Sequence, residues 1–286
     1  MTGAEILMAL EMGLIYGIVG IGIYLSFRVL NFPDLTCDGS FVTGGAGAVL
    51  ALKMGISPFF SVGVAFLLGC GAGFLTGVLN VYFKTSDLLA GILVAFMLYS
   101  LNLMLMGGIP NMTLISESTL FEMGSPFLIL VCIGILIWVL LSLLFATDFG
   151  LALRSLGQNK SLAMNCGIHI PPFIFLGLML SNGFIGLAGG LFSQHEGFVD
   201  ISQGIGTLII GLAAIMIGES LFKSRSLSVI LASCFLGSIL YRLVIAIALH
   251  SDWLGLETQH LNLITGLLVV LIMWAPQIKG RRYAQA

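Results

Sequence analysis

Apolar positions along the chain come in long blocks rather than in the alternation of a strand or the one-sided stripe of a soluble helix. Charge-poor runs recur at close to the roughly 20 residues that a helix needs to cross about 30 Å of hydrocarbon. They predict helices over 6–27, 38–53, 58–83, 88–106, 125–146, 172–193, 204–222, 227–249 and 260–277. The second is short and rich in glycine ("VTGGAGAVLA"), the pattern of a broken or re-entrant segment. Together with "GCGAGFLTG" in the third, it suits close helix–helix contact in lipid. The expected fold class is all-α: a polytopic membrane protein with about nine transmembrane helices (eight to ten) in a single domain over 1–286.

Composition supports lipid as the main solvent. The 286 residues are 58% hydrophobic and 8% charged, with a mean hydropathy of +1.12, whereas soluble domains carry about 25% charged residues. No stretch outside the apolar blocks is long enough to bury a separate core. The net charge of −2 and scattered basic residues argue against nucleic-acid binding. Cys37, Cys70, Cys132, Cys166 and Cys234 form neither metal-ligand spacing nor a disulfide framework. The N-terminal "MTGAEILMALEMG" lacks a basic region and contains Glu5 and Glu11, so the first block is expected to be a retained span.

Basic residues set the expected orientation. If the segment after the first helix is cytoplasmic, Arg28, Lys84, Arg154, Lys160, Lys223, Arg225, Lys279, Arg281 and Arg282 share that side, leaving Lys53 and Arg242 elsewhere. Nine crossings then put the N-terminus outside and the C-terminus in the cytoplasm. The outer loops hold Glu117, Glu122, Glu196, Asp200, Asp252 and Glu257 with no Lys or Arg, an acidic face.

This topology makes 147–171 ("TDFGLALRSLGQNKSLAMNCGIHIP") the longest cytoplasmic connection. Asn159 can cap a helix, "KSLAMNC" supplies two turns, Gly167 suits a left-handed stop, and Pro171-Pro172 redirect the chain into the next span. Leu162, Ala163 and Cys166 fall on one side. The helix is built to lie along a surface, whether lipid or a groove on a cytoplasmic partner.

The stretches "FGLALRSLGQNKSLAMNCGI", "YLSFRVLNFPDLTCDGSF" (24–41), "LLAGILVAFMLYSLNLMLMGGIPNMTL" (88–114) and "YRLVIAIAL" (241–249) resemble ABC-transporter permeases of the branched-chain amino acid and ribose importer type. The similarity is to the subgroup often paired with tryptophan- or tyrosine-type binding proteins, and "DLTCDGSF" and "LYSLNL…GGIPN" are its specific parts. Gln158-Asn159-Lys160 departs from the more acidic turn expected there. The resemblance implies a permease domain over 1–286 with a coupling segment at 147–171, in a bacterial inner membrane. It implies two ATPase subunits, a second permease copy as a homodimer, and an extracytoplasmic binding protein that delivers a small solute, an aromatic amino acid by family-level inference. ATP and Mg would be bound by the partner ATPase, and this chain would hold no cofactor. Coupling would fall to Arg154, Gly157, Asn159, Lys160, Leu162, Met164, Asn165 and Gly167.

Polar groups inside apolar helices are candidates for the substrate pathway because unpaired polarity is costly there: Asp38, Thr43, Tyr99, Asn102, Asn182, Tyr241 and Arg242. Helix–helix hydrogen bonding is the bland alternative for each. Arg242 lies ~24 Å up a ~30 Å core by helical rise and is expected to snorkel outward. Asp34 and Asp38 are expected to cap the second helix, Glu219 to pair with Lys223, and His195-Glu196 to be a solvated outer-loop pair. "DGSFVTGGAGAVLA" and "QGIGTLIIGLAAIMIG" head helices of opposed direction, a weak match to an inverted repeat. His169, His195, His250 and His260 show no HExxH arrangement and the chain has no Walker A sequence, so neither catalysis nor an ATPase site of its own is expected. The rival reading is an ion-coupled secondary transporter, which needs carboxylates near the midplane.

Overall fold

The computed structural model describes residues 3–115, 117–222 and 226–249, together with positions 266 and 270. Helix α1 (Gly3–Ile23) runs on into a π-helical turn, Tyr24–Val29. After an extended stretch come α2 (Cys37–Lys53), α3 (Pro58–Val81), α4 (Asp87–Leu105), strand β1 (Asn111–Thr113), a 3₁₀ turn (Leu120–Met123) and α5 (Pro126–Ala146). The polar centre of the chain forms α6 (Asp148–Gln158) and α7 (Lys160–Asn165), followed by α8 (Ile170–Glu196), β2 (Phe198–Asp200), α9 (Thr207–Leu221) and α10 (Leu227–Leu249).

Six helices among the described residues are long and apolar enough to cross a bilayer: α1 with its π-turn, α3, α4, α5, α8 and α10. Of the eight expected helices that fall within the described residues, α2, at 17 residues, and α9, at 15, are shorter than the usual span, which leaves these six. The expected helix at 260–277 lies outside the described residues. The purely helical expectation also needs amending, since β1 pairs antiparallel with β2, Asn111 opposite Asp200 and Thr113 opposite Phe198.

Helix α8 is the central post, packed on α1, α2 and α3; α9 and α10 close on α1, and α5 and α4 lie outside. Glycine makes these contacts possible. A methyl at Gly189 would sit 1.9 Å from the Phe41 carbonyl oxygen, and one at Gly44 would sit 2.0 Å from that of Gly186, so α2 and α8 touch backbone to backbone. Tyr16, Phe41 and Phe192 fill the space beside this seam with ring centroids 5.5–6.0 Å apart. Antiparallel α1 and α8 are in register from Gly22 against Ser181 at one end to Glu11 against His195 at the other.

The two short helices begin inside this frame. Gly39, on the first turn of α2, packs against Ala95 and Leu98. Those residues lie halfway along α4, ~12–17 Å from its start by helical rise. Helix α9 starts at the same depth, since the backbone at Gly204 approaches the Asp38 carbonyl oxygen.

Candidate functional site

The start of α2 is fixed by a buried polar node. Asp34 accepts through Oδ1 from the Thr36 backbone N–H (2.9 Å) and through Oδ2 from Asn182 Nδ2 (2.6 Å). Asn182 accepts in turn from Ser40 Oγ at 2.7 Å, and the Thr36 and Thr76 hydroxyls are 2.8 Å apart. Asp34, Thr36, Ser40, Thr76 and Asn182 are all fully buried. The node ties α2, α3 and α8 to the extended stretch before α2, where an unanchored carboxylate would be prohibitive in hydrocarbon. Asp34 therefore anchors the approach to α2 through an Asx-type bond and a cross-helix bond, rather than simply capping it.

Asp38 does not cap α2 either. Its carboxylate reaches across to the start of α9, accepting from Leu208 N–H at 3.0 Å and Gly206 N–H at 3.3 Å. Those donors are the orphan amides of a helix N-terminus, which favours a negative charge. The cap joins positions 170 apart in sequence. Further along α2, the Thr43 hydroxyl lies 2.7 Å from Asn102 Oδ1 and 2.8 Å from the Gly39 carbonyl oxygen and can donate to either, and Asn102 Nδ2 donates to the same carbonyl (3.2 Å). Tyr99 is 55% exposed on α4, whereas Tyr241 is fully buried.

Arg242 does not snorkel outward. Its guanidinium sits 4.1 Å from the centre of the Tyr16 ring. Helical side chains lean toward the N-terminus of their own helix, which here carries the guanidinium back along α10 toward the middle of α1.

At the α6–α7 end, Asn159 accepts from Leu162 N–H at 3.1 Å and caps α7, and Gly167 ends the segment at φ +82°. The segment is longer in structure than one short helix, because Asp148–Gln158 forms α6 with Leu153 and Leu156 buried. Arg154 is turned inward, donating to the carbonyls of Gly150 (3.4 Å) and Phe145 (3.2 Å), so it staples α6 to the end of α5. Gly157 lies directly on the π-turn: a methyl there would be 1.9 Å from the Val29 carbonyl oxygen. Asn159, Lys160, Leu162, Met164, Asn165 and Gly167 are exposed. Beside the π-turn, Arg28 meets Glu219 of α9 at 2.5 Å. Glu219 thus bonds across helices; Lys223, its expected partner, lies outside the described residues.

At the opposite end His195 belongs to the last turn of α8, with only 11% of its side chain exposed, and its Nε2 lies 2.9 Å from Glu11 Oε2 on α1. It is a buried inter-helix contact instead of a solvated loop pair. Glu11 is placed by the register of α1 and α8, which local sequence does not reveal. Nearby, Ser202 and the Asn111 amide hold the Asp200 carboxyl below the usual range, chiefly through the Ser202 hydroxyl.

The family described as the branched-chain amino acid transport system permease component matches residues 5–273. The tyrosine transport system permease protein of Clostridioides difficile (strain R20291) is 38% identical over 269 residues, covering 94% of this chain and 90% of that one. A Methanocaldococcus jannaschii protein assigned as the branched-chain amino acid transport permease LivH is 26% identical over 71% of this chain and 70% of its own. Among solved structures, an ABC transporter of metal-chelate type in an inward-facing conformation aligns with a TM-score of 0.51 at 16% identity, covering 96% of this chain and 85% of that one, a likeness of fold. A helical, multi-pass membrane chain with an almost full-length match to one family leads to a single assignment: it belongs to the permease components of branched-chain amino acid-type ABC transport systems.

Proposed function

We propose that this chain is the membrane subunit of an ATP-driven importer for an amino acid, with an aromatic one such as tyrosine favoured. The observation that carries this reading is the seating of α6–α7, in which α7 presents exposed Leu162 and Met164 while α6 bears on the end of α1 through Gly157. A partner that moved this segment would push on the π-turn, on the Arg28–Glu219 contact to α9, and on the Asp34 stretch that leads into α2. The relative named for tyrosine transport supports the substrate class.

In this reading the α6–α7 end is cytoplasmic, with the N-terminus outside and the C-terminus inside. Two ATPase subunits each grip one α7, and they hold ATP and Mg. Two copies of this chain enclose the pathway, and an extracytoplasmic binding protein delivers the solute to the end that carries the β1–β2 ribbon. Nucleotide shifts the assembly between inward- and outward-facing states only through unequal binding to the two, so a rigid seat for α6 is what such coupling requires. The opposed short helices α2 and α9 fit the halves of an inverted repeat.

The test is reconstitution. The chain is expected to co-purify with an ATPase subunit and to take up amino acid only with nucleotide and binding protein. Uptake by the chain alone, driven by an ion gradient without nucleotide, would overturn the reading. Deletion within 158–167 is expected to abolish ATPase association while leaving membrane insertion intact.

A further inference from the structure

Asp38 poses a problem that its cap on α9 does not fully resolve. Its carboxylate lies halfway along the membrane-spanning frame, level with the Ala95–Leu98 midpoint of α4. It is partly exposed, and no Lys, Arg or His lies within ion-pair distance among the described residues. Lipid cannot solvate such a group, and intramembrane carboxylates face a protein interior or a wet cavity. The two amides that it accepts from occupy about half of the lone-pair positions of a carboxylate. The other half have no cationic partner among the described residues.

Its surroundings fit a particular kind of visitor. Leu35, three residues before Asp38 in the turn that leads into α2, borders a cavity of about 400 Å³ with Ile92, Ala95, Phe96 and Tyr99, within the size range of small-molecule sites. Phe96 and Tyr99 are 73% and 55% exposed, so two aromatic side chains stand open at the depth of the carboxylate. On the first turn of α9, beside the amides that hold Asp38, the buried Thr207 Oγ1 has no hydrogen-bond partner among the described residues.

We infer that Asp38 is the ammonium-receiving residue of a transient amino-acid site halfway across the membrane, with the Phe96–Tyr99 face of α4 taking the side chain. In the empty state the α9 N-terminus alone stabilises the carboxylate. In the loaded state the α-ammonium of the substrate supplies the missing positive charge. This assignment rests on the import reading above and deepens it by giving the charged group of the substrate a partner in the pathway.

The experiment uses the full complex with its ATPase and binding protein in proteoliposomes, measuring nucleotide-driven uptake of labelled tyrosine by the wild type, Asp38→Asn and Asp38→Glu. Asn keeps an acceptor oxygen for the α9 amides and removes the charge; Glu keeps the charge. Uptake is expected to fall at least tenfold in Asp38→Asn while the complex still co-elutes, and to recover to at least half of wild type in Asp38→Glu. Replacing external sodium by N-methylglucamine is expected to leave wild-type uptake unchanged. Uptake by Asp38→Asn within twofold of wild type would overturn the inference. Loss of co-elution in Asp38→Asn, or equal loss of uptake in both variants, would make Asp38 a structural cap and also overturn it. Dependence on sodium would assign the carboxylate to a metal cation instead. No uptake by the wild type would count against the import reading itself, a result distinct from all of these.

Discussion

Asn182 shows how much one side chain carries in this protein. It donates to Asp34, accepts from Ser40, and sits on the central helix where three others converge. Removing it leaves a buried carboxylate and a buried hydroxyl each short of a partner, a loss of about 1–3 kcal/mol for such groups. Asn182→Leu is therefore expected to lower the melting temperature of the detergent-solubilised protein clearly, and Ser40→Ala to lower it less. Equal melting of Asn182→Leu and wild type would show that the node does not hold α2. The Arg28–Glu219 contact is different in kind: its side chains are 54% and 33% exposed. Exposed pairs contribute about 0–1 kcal/mol, so Glu219→Gln is expected to leave stability nearly unchanged, and a large drop in the same melting assay would contradict this. Sequence identifies Asn182 as a polar residue in an apolar helix, and helix–helix bonding is one reading of such a residue. Its cross-helix partners, Asp34 and Ser40, lie more than 140 positions away, beyond any local pattern.

At the scale of elements, α6–α7 and the paired short helices behave as units. Asn159→Ala removes the cap of a six-residue helix, a change worth about 1 kcal/mol. Amide hydrogen exchange over 160–166 is expected to accelerate while that of α8 stays unchanged, and uniform protection would count against the cap. Gly157→Leu forces α6 off the Val29 carbonyl, and overpacking of this kind costs about 1–3 kcal/mol. Under the proposed function its larger effect is on coupling: nucleotide-driven uptake is expected to fall at least tenfold with the ATPase still bound, and normal uptake would show that α6 does not transmit motion. The Asn159 cap and the Gly167 stop are legible in sequence because capping is a local matter of side-chain reach and backbone freedom. That Gly157 is a contact point with the π-turn is not, since a glycine by itself does not name the backbone that approaches it.

For the whole molecule, the apolar blocks and the low charge content determined that the chain is a multi-pass helical membrane protein, because hydrocarbon tolerates only backbone that satisfies its own hydrogen bonds. The same blocks placed most helix boundaries within a few residues, and the specific polar stretches carried the family resemblance. The crossings expected at α2 and α9 are not confirmed, since both helices are shorter than the usual span and their depth is set by what surrounds them. Only the tertiary structure decided that both start at mid-depth, that Asp38 caps α9 across 170 positions, that Arg242 rests on Tyr16, and that His195 meets Glu11. Hydrophobicity is a property of each residue and survives in the one-dimensional record. The partner of a buried charge is set by the packing of distant helices, and that exists only once the chain has folded.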